Sequence, residues 1–310
     1  MATRGLAWAL LPVLLCGAVA IGVAIVLADS GGGEGGEVRR PVPSARVNLF
    51  DGGRALADVR AQVARGPRPA GSQASRRLAA WLRAQLPQGR FEAVPGGLRN
   101  VVGVLPGSAP AIVVAAHYDT KRIAGAPGFV GANDGAAGTA VVLELARALR
   151  RVGRPPGAPE LRFVLLDGEE SPDDSRDFYD SGLRGSRAYA RRHADALGAA
   201  IVVDFVGQRG LRLPRERGSD PAVWERLRAA ARRVGVGAVF PDAEAGEVLD
   251  DHTPFNRAGV PAVDLIDFDY DCFHRACDRL GRVRAGSLDA VGEALVALLA
   301  QKRPIRFGGQ

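Results

Sequence analysis

Five short runs of Val, Ile, Leu and Ala, separated by longer segments of helical pattern, constrain the fold of this chain most. The runs are apolar on both alternating faces, which is typical of strands buried inside a mostly parallel sheet. We predict strands at residues 100–105, 111–116, 161–166, 200–206 and 261–266. We predict helices at residues 51–65, 73–86, 135–151, 186–196, 221–234 and 287–301. This alternation predicts an α/β fold of three αβα layers, with helices on both faces of a mostly parallel central sheet.

Composition excludes several classes of protein. Hydrophobic residues make up 47% of the 310 residues, which is enough for a buried core and excludes a disordered chain. Three Cys are too few for a disulfide scaffold or a Cys-rich zinc module. The net charge is +7, but the basic residues are dispersed and almost all are Arg. Because no basic run is interleaved with aromatic residues, we expect no nucleic-acid partner.

The N-terminal segment indicates the compartment. Residues 6–28 carry no charge and are long enough to cross a bilayer as a helix, although a cleaved signal peptide is the alternative. We therefore predict an N-terminal transmembrane anchor or signal peptide at residues 1–28, a Gly/Pro-rich linker at residues 29–46 and one folded domain at residues 47–310. The domain would work outside the cytoplasm, either anchored to the membrane through the N-terminal helix or secreted.

Polar side chains follow the predicted strands at the point where each strand ends. In an open α/β sheet, ligands bind just beyond the carboxyl ends of the strands. The chemistry-bearing residues found there, or in the adjoining loops, are His117, Asp119, Asp134, Glu169, Glu170, Asp204 and His274. One acidic residue at a strand end is ordinary, but several loops that converge with His, Asp and Glu predict a shared site.

The side chains of this site suit a metal ion. Imidazole and carboxylate ligands together are typical of catalytic zinc, which keeps one coordination position open. Several carboxylates in one pocket at neutral pH also require a cation or shared protons. In the pair Glu169-Glu170 we expect one side chain to bind the metal and the other to act as general base or acid. Asp119 would orient the imidazole of His117.

Six segments, in this order along the chain, resemble the M28 family of zinc enzymes, which contains aminopeptidases and glutaminyl-peptide cyclotransferases. The segments are residues 116–121, 129–135, 143–149, 167–170, 185–187 and 250–255. The resemblance extends over nearly all of residues 66–274. It implies that Asp134, Glu170 and His274 hold the zinc and that Glu169 is the general acid/base. Asp250 matches a cyclotransferase carboxylate that passes the proton together with the glutamate.

The resemblance leaves the number of metal ions open between two branches of the family. In the aminopeptidases, the aspartate that Asp134 matches bridges two metals, and His117 and Asp204 would complete the shell of the second. The cyclotransferases keep similar residues and use one zinc. We expect one zinc ion, with a second held through His117 and Asp204 as the alternative.

The resemblance predicts a zinc-dependent enzyme that acts on peptide or protein N-termini, as a monomer. We favour a glutaminyl-peptide cyclotransferase, which forms N-terminal pyroglutamate and releases ammonia. The alternative is an M28 aminopeptidase with one or two zinc ions, and a remoter alternative is an inactive binding ectodomain. Two departures leave the substrate open: Phe273 stands where cyclotransferases have Trp, and residues 171–180 lack another expected Trp.

Four further features have alternative interpretations. Cys272 and Cys277 lie on either side of the last predicted zinc ligand, where a disulfide outside the cytoplasm is favoured over zinc thiolates. We assign His252 a structural hydrogen-bonding role and His193 to a solvated helix face. The acidic residues 173–180 form either a solvated loop or a lid over the site.

Overall fold

The computed structural model describes residues 41–301, and a six-stranded sheet lies at its centre. The strands are β1 (Arg90–Val94), β2 (Leu98–Leu105), β3 (Ser108–His117), β4 (Pro159–Leu166), β5 (Leu197–Asp204) and β6 (Ala262–Ile266). Their order across the sheet is β1-β2-β4-β3-β5-β6. β2 runs antiparallel to both of its neighbours, and the other neighbouring pairs are parallel. The five predicted strands and the mostly parallel sheet are confirmed.

Strand β1 is not predicted from the sequence. It is five residues long, it lies at the edge of the sheet, and Val94 is its one buried residue. The strand therefore lacks the continuous apolar run that marks the inner strands. It pairs with β2 because the chain reverses direction between Val94 and Leu98.

Within the described residues the structure has eight α-helices. They are α1 (Gly52–Val63), α2 (Gln73–Gln85), α3 (Ala136–Val152), α4 (Phe178–Ser181), α5 (Arg184–His193), α6 (Pro221–Arg233), α7 (His252–Arg257) and α8 (Ala285–Leu299). The six predicted helices are confirmed with small differences at their ends. The short helices α4 and α7 are not predicted, because one to two turns leave no periodic pattern to recognise.

Alternate side chains of the inner strands pack against helices on opposite faces of the sheet. On β3, Ile112 and Val114 join the core formed with α1, α2, α3, α6 and α8. The intervening residues, Val113 and Ala115, join a smaller core with α5 and α7. Since both faces are covered by helices, the predicted three-layer αβα architecture is confirmed.

The prediction for the N-terminal segment is not tested by this structure. Within residues 41–301, no helix has the length and apolar character required to cross a membrane. The predicted anchor or signal peptide at residues 1–28, and residues 29–40 of the predicted linker, lie outside the described residues.

Helix α3 lies unusually close to the sheet because a glycine occupies the contact. A Cβ atom at Gly138 would lie 2.0 Å from the carbonyl oxygen of Val203 and 3.1 Å from the Cβ atom of Ala116. Both neighbours belong to central strands, so they have little freedom to move aside. Because α3 begins two residues after Asp134, this contact also fixes the position of that carboxylate at the sheet edge.

We expect Gly138→Ala to lower the free energy of unfolding by about 1–3 kcal/mol, because the added methyl group overpacks the contact between α3 and β5. Urea unfolding followed by circular dichroism measures the change. The matched control is Gly286→Ala in α8, where the added methyl group would meet nothing within 4 Å. The control should be neutral or stabilise by about 1 kcal/mol or less. Equal stability of Gly138→Ala and the wild type would contradict the packing analysis.

Candidate metal centre

The carboxyl ends of the parallel strands meet at one edge of the sheet, and the predicted site residues converge there. They are His117 at the end of β3, Asp134 before α3, Glu169 and Glu170 after β4, Asp204 at the end of β5, Asp250 before α7 and His274 after β6. All of these except His274 are buried. The loops that follow neighbouring strands therefore bring together residues that lie far apart in the sequence.

One group of three potential ligands consists of His117, Asp134 and Asp204. The Nε2 atom of His117 lies 3.2 Å from Oδ1 of Asp134 and 3.5 Å from Oδ1 of Asp204. The three ligand atoms all lie within 4.8 Å of one another.

A second group consists of Asp134, Glu170 and His274. The Nε2 atom of His274 lies 3.5 Å from Oδ2 of Asp134 and 3.4 Å from Oε1 of Glu170. Asp134 thus belongs to both groups and presents a different carboxylate oxygen to each. This is the arrangement expected of a carboxylate that lies between two cation positions.

These residues fit a divalent metal ion. Ligand atoms about 2.0–2.2 Å from a tetrahedral zinc lie roughly 3.4 Å from one another, close to the separations found in both groups. Within residues 41–301, both ring nitrogens of His117, Oδ2 of Asp134 and Oε1 of Glu170 are buried without a hydrogen-bond partner. Buried polar atoms are rarely left unpaired. A cation bound in the second group would satisfy Oδ2 of Asp134 and Oε1 of Glu170, and one bound in the first group would satisfy Nε2 of His117.

Gly135 allows the chain to pass close to the imidazole of His117. Its φ angle is +82°, and a Cβ atom there would lie 2.7 Å from Cε1 of the His117 ring. A residue with a side chain would meet both a strained backbone conformation and a clash with a buried ring. Gly135 therefore lets Asp134 and His117 lie side by side.

Asp119 holds the segment that carries the paired glutamates. Its carboxylate accepts hydrogen bonds from the backbone N–H groups of Gly168, Glu169 and Glu170, at 2.9, 3.2 and 3.3 Å. The predicted contact with His117 is longer: Oδ1 of Asp119 lies 3.7 Å from Nδ1 of the ring, which exceeds hydrogen-bond length. Asp119 thus positions Glu169 and Glu170 directly and is at most a close neighbour of His117.

Crowding raises the pKa of most carboxylates at the centre. Burial, followed by the charge of Glu170, raises the pKa of Glu169 well above its usual value. Burial and the charge of Asp134 raise the pKa of Glu170. Burial raises the pKa of Asp204 to about 7, although contact with His117 opposes this. Without a cation, these carboxylates therefore retain protons at pH values where exposed carboxylates are ionised.

Two groups at the centre are held in their charged forms. Burial raises the pKa of Asp134, but contacts with His117 outweigh this and lower it overall. Burial lowers the pKa of His117, but the neighbouring carboxylates of Asp119, Asp134 and Asp204 outweigh this and raise it. A proton on His117 occupies the position that a metal ion would take.

Asp250 acts electrostatically on Glu169, the general acid/base predicted from the sequence. It is buried, and its Oδ2 atom has no hydrogen-bond partner among residues 41–301. Its charge contributes to the raised pKa of both Glu169 and Asp204. Asp250 therefore lies within electrostatic range of both Glu169 and Asp204, and its role in passing the proton stays a prediction.

A closed loop presents His274. Cys272 and Cys277 form a disulfide, so they are not available as zinc thiolates. His274 adopts a left-handed backbone conformation with φ of +48°, which is uncommon for a residue with a side chain. The ring of Phe273 stacks on the imidazole at 3.9 Å between centroids, and Phe129 approaches it edge-on at 6.2 Å. The imidazole is thus held between two aromatic rings.

The acidic loop after the paired glutamates is attached to the centre by Lys121, which ends the first of the six family segments. The Lys121 ammonium donates to the carbonyl of Ser171 and to the carboxylate of Asp174, and lies 3.8 Å from Oε2 of Glu170. Residues 173–176 are exposed. These contacts tie the start of the loop to a potential metal ligand, whereas the loop itself is solvated.

The two remaining histidines lie outside the two ligand groups. Nε2 of His252 lies 3.1 Å from Oε2 of Glu216, a buried contact that fits the structural role predicted for His252. His193 contacts the carboxylate of Glu92 on β1 at 2.8 Å. It is therefore less solvated than predicted, because the edge strand β1 covers part of its helix face.

The raised pKa values predict how pH affects the stability of the metal-free protein. Glu169, Glu170 and Asp204 keep protons in the folded state that the unfolded chain releases, so the folded state binds more protons between about pH 4 and 7. The lowered pKa of Asp134 acts in the opposite direction but is a single group. The free energy of unfolding should therefore fall as pH rises through this window, and the thermal midpoint of chelator-treated protein should be lower at pH 7.5 than at pH 5.5.

Bound zinc should reverse this fall in the free energy of unfolding with rising pH. Its ligands must lose their protons to bind it, so the stabilising effect of zinc grows with pH. The control variant is Asp204→Asn, which removes one of the raised carboxyl groups and should make the metal-free protein less sensitive to pH. A metal-free protein that becomes more stable from pH 5.5 to pH 7.5 would contradict the electrostatic analysis.

Known proteins resemble this chain in sequence and in structure. A sequence profile of Peptidase family M28 matches residues 100–299. Glutaminyl-peptide cyclotransferase-like protein of Mus musculus is 30% identical over 241 residues, which cover 65% of this chain and 60% of the mouse protein. Aminopeptidase YwaD of Bacillus subtilis is 28% identical over 201 residues, covering 60% of this chain and 40% of that protein. The crystal structure of Acidobacteriales bacterium glutaminyl cyclase is 27% identical with a TM-score of 0.72, covering 86% of this chain and 98% of that chain.

The extent of these matches differs between the comparisons. The chain spans 60% of the length of the mouse relative and 40% of the length of the Bacillus relative, but nearly all of the solved cyclase. The family profile covers more than half of the chain and includes all the residues of the two ligand groups. This protein therefore belongs to peptidase family M28.

Proposed function

We propose that this chain is a zinc-dependent enzyme that acts on peptide N-termini and cyclises N-terminal glutamine to pyroglutamate with release of ammonia. The observation that carries the proposal is the group formed by Asp134, Glu170 and His274, with the protonatable Glu169 beside it. The glutaminyl cyclase among the similar structures and the cyclotransferase-like relative support the same reaction.

Asp134, Glu170 and His274 would hold one zinc ion, with a fourth position left for the substrate. Zinc bound there would polarise the side-chain amide carbonyl of the substrate glutamine and make its carbon more electrophilic. Because cyclisation needs only one such ion, His117 and Asp204 would remain polar neighbours of the centre.

Glu169 would move the proton in this reaction, since its raised pKa makes it a stronger proton acceptor than an exposed carboxylate. The α-amine of the glutamine attacks its own side-chain amide carbon, and the new C–N bond closes the lactam ring while Glu169 takes a proton from the amine. The bond from that carbon to the amide nitrogen then breaks, and Glu169 delivers the proton to this nitrogen so that ammonia leaves. The negative charge of Asp250 would strengthen the proton affinity of Glu169.

Removal of the N-terminal residue by hydrolysis is the second candidate function. The group formed by His117, Asp134 and Asp204 favours it, because Asp134 offers one oxygen to each group as two neighbouring metal ions require. Glu169 would then take a proton from the attacking water and give it to the departing amine. The aminopeptidase relative supports this alternative.

We also propose that the enzyme works outside the cytoplasm, anchored by or cleaved after residues 1–28. The uncharged segment at residues 6–28 supports this, because its length suits a membrane helix. The disulfide between Cys272 and Cys277 supports it independently, since disulfides persist in oxidising compartments. Fractionation of cells that express the full chain, followed by protease protection, tests the proposal. Protection of the domain inside intact cells would contradict it.

The reaction is tested by incubating the purified full chain with two peptides that differ only in their first residue, glutamine or leucine. Mass spectrometry follows both products after the zinc content has been measured. We expect the glutamine peptide to lose the mass of ammonia and the leucine peptide to remain intact. Release of free N-terminal residues would instead establish the aminopeptidase. Zinc-loaded protein that changes neither peptide would contradict both reactions and favour the binding ectodomain.

Substitutions at the centre should separate proton transfer from metal binding. Glu169→Gln keeps the shape of the side chain but cannot accept a proton, so we expect kcat to fall by about 10²–10⁴-fold while zinc remains bound. Asp134→Ala removes the carboxylate common to both ligand groups and should lose zinc altogether. Activity assays and metal analysis of the same preparations check both. Near-normal turnover by Glu169→Gln would refute the proposed proton transfer.

A further inference from the structure

Two buried side chains of opposite charge lie on either side of the segment that carries Asp134. Arg68 lies between α1 and α2, and Asp278 lies in the loop after β6; both are almost fully inaccessible to solvent. Neither belongs to the two ligand groups, and the proposed reaction uses neither. Burial of a charge costs several kcal/mol unless partners satisfy it, so the contacts of these two side chains indicate what they do.

Arg68 joins the segment before Asp134 to the end of β3. Its Nη1 atom donates to the carbonyl of Val130 at 2.6 Å, and Nη2 donates to the carbonyl of Gly131 at 3.4 Å. Its Nε atom donates to the carbonyl of Tyr118 at 3.3 Å. Because Tyr118 directly follows His117, the planar guanidinium holds two ligand-bearing segments at once.

Asp278 joins the same segment to the loop of His274. One carboxylate oxygen accepts from the backbone N–H of Asn133 at 2.9 Å and from the hydroxyl of Tyr270 at 2.8 Å. The other accepts from the backbone N–H of Asp134 at 3.1 Å. Asp278 lies four residues after His274 and directly after the disulfide that closes that loop. The carboxylate therefore fixes the distance between two ligands that are 140 residues apart in the chain.

We propose that Arg68 and Asp278 are positioning residues that set the spacing of the three segments bearing His117, Asp134 and His274. Metal ligands must lie within about 0.5 Å of their productive positions. Hydrogen bonds from Arg68 reach the carbonyls that precede Asp134, and those to Asp278 come from the backbone amides of Asn133 and Asp134. Both side chains thus hold the segment before a metal binds. This inference rests on the proposed metal ligands.

A positioning role and a merely structural role predict different measurements. Loss of a contact that only stabilises the fold lowers the thermal midpoint equally with and without metal. Loss of a contact that sets ligand spacing lowers the metal affinity. It therefore narrows the difference between the thermal midpoints of the metal-bound and metal-free protein. It also changes the visible absorption spectrum of bound Co²⁺, which reports the geometry of the ligands.

The experiment compares Asp278→Asn, Tyr270→Phe and Arg68→Lys in the full chain. Asp278→Asn replaces one acceptor oxygen with an amide group that faces a backbone N–H, and Tyr270→Phe removes a single hydroxyl group. Arg68→Lys keeps the charge but loses the planar fork. The matched control is Asp289→Asn, because Asp289 also accepts a backbone hydrogen bond, from Gly52, but on α8. The zinc dissociation constant is measured by competition with a chelator, together with the Co²⁺ spectrum and both thermal midpoints.

We expect Asp278→Asn and Arg68→Lys to weaken zinc binding by roughly 10- to 100-fold and to shift the Co²⁺ spectrum. Tyr270→Phe should also weaken zinc binding and shift the Co²⁺ spectrum, but by less than Asp278→Asn. It provides the test if Asp278→Asn does not fold. Asp289→Asn should change neither. Wild-type affinity and spectrum in the folded variants, or equal losses in the control, would overturn the positioning role.

The outcomes also separate this inference from the proposed function. A wild-type chain that binds no zinc would overturn the metal centre and the positioning role together. A wild-type chain that binds zinc and releases neither ammonia nor an N-terminal residue would overturn only the proposed reactions, since the affinity measurements do not depend on turnover.

Discussion

Mutual repulsion among buried carboxylates is the constraint on which the rest of this structure depends. Asp134, Glu169, Glu170 and Asp204 are buried together at one edge of the sheet, and burial disfavours their charged forms. The protein tolerates the cluster in two ways. In the metal-free protein, protons neutralise some of these carboxylates. When a divalent cation binds, it replaces those protons. The same crowding raises the pKa of Glu169 and so strengthens its affinity for a proton.

The fold brings these groups together at one edge of the sheet. Parallel strands direct their carboxyl ends to that edge, where His117 and Asp204 end their strands. The loops beyond the strands carry Asp134, Glu170 and His274. The N-terminus of α3 comes close to that edge because Gly138 lets the helix approach β5 and Gly135 lets the chain pass the ring of His117. Asp119 then fixes the next loop by accepting its backbone N–H groups. Packing thus determines the position of the ligands, and local hydrogen bonds determine their orientation.

The sequence predicts the inner strands, the long helices and the convergence of the site, because each depends on a local pattern or on the position of strand ends. It does not predict β1, whose exposed edge position removes the apolar signal. Nor does it predict the contacts of Asp119 or the burial of Arg68, since a chain with many dispersed arginines gives no sign of which one enters the core. Asp278 is missed for another reason: it accepts hydrogen bonds from backbone amides that lie far away in sequence.

In the two proposed reactions Asp134 would hold different numbers of cations, one for cyclisation and two for hydrolysis at the paired ligand groups. Its two oxygens face two complete ligand groups, so the ligands alone permit either reaction. Protonation does not decide between the reactions, because the pKa values of Glu170 and His274 are raised as well as those of His117 and Asp204. The two proposals therefore differ in whether the His117 side is occupied. A single zinc on the His274 side suits attack by the substrate's own amine, whereas a second ion on the His117 side would suit attack by water.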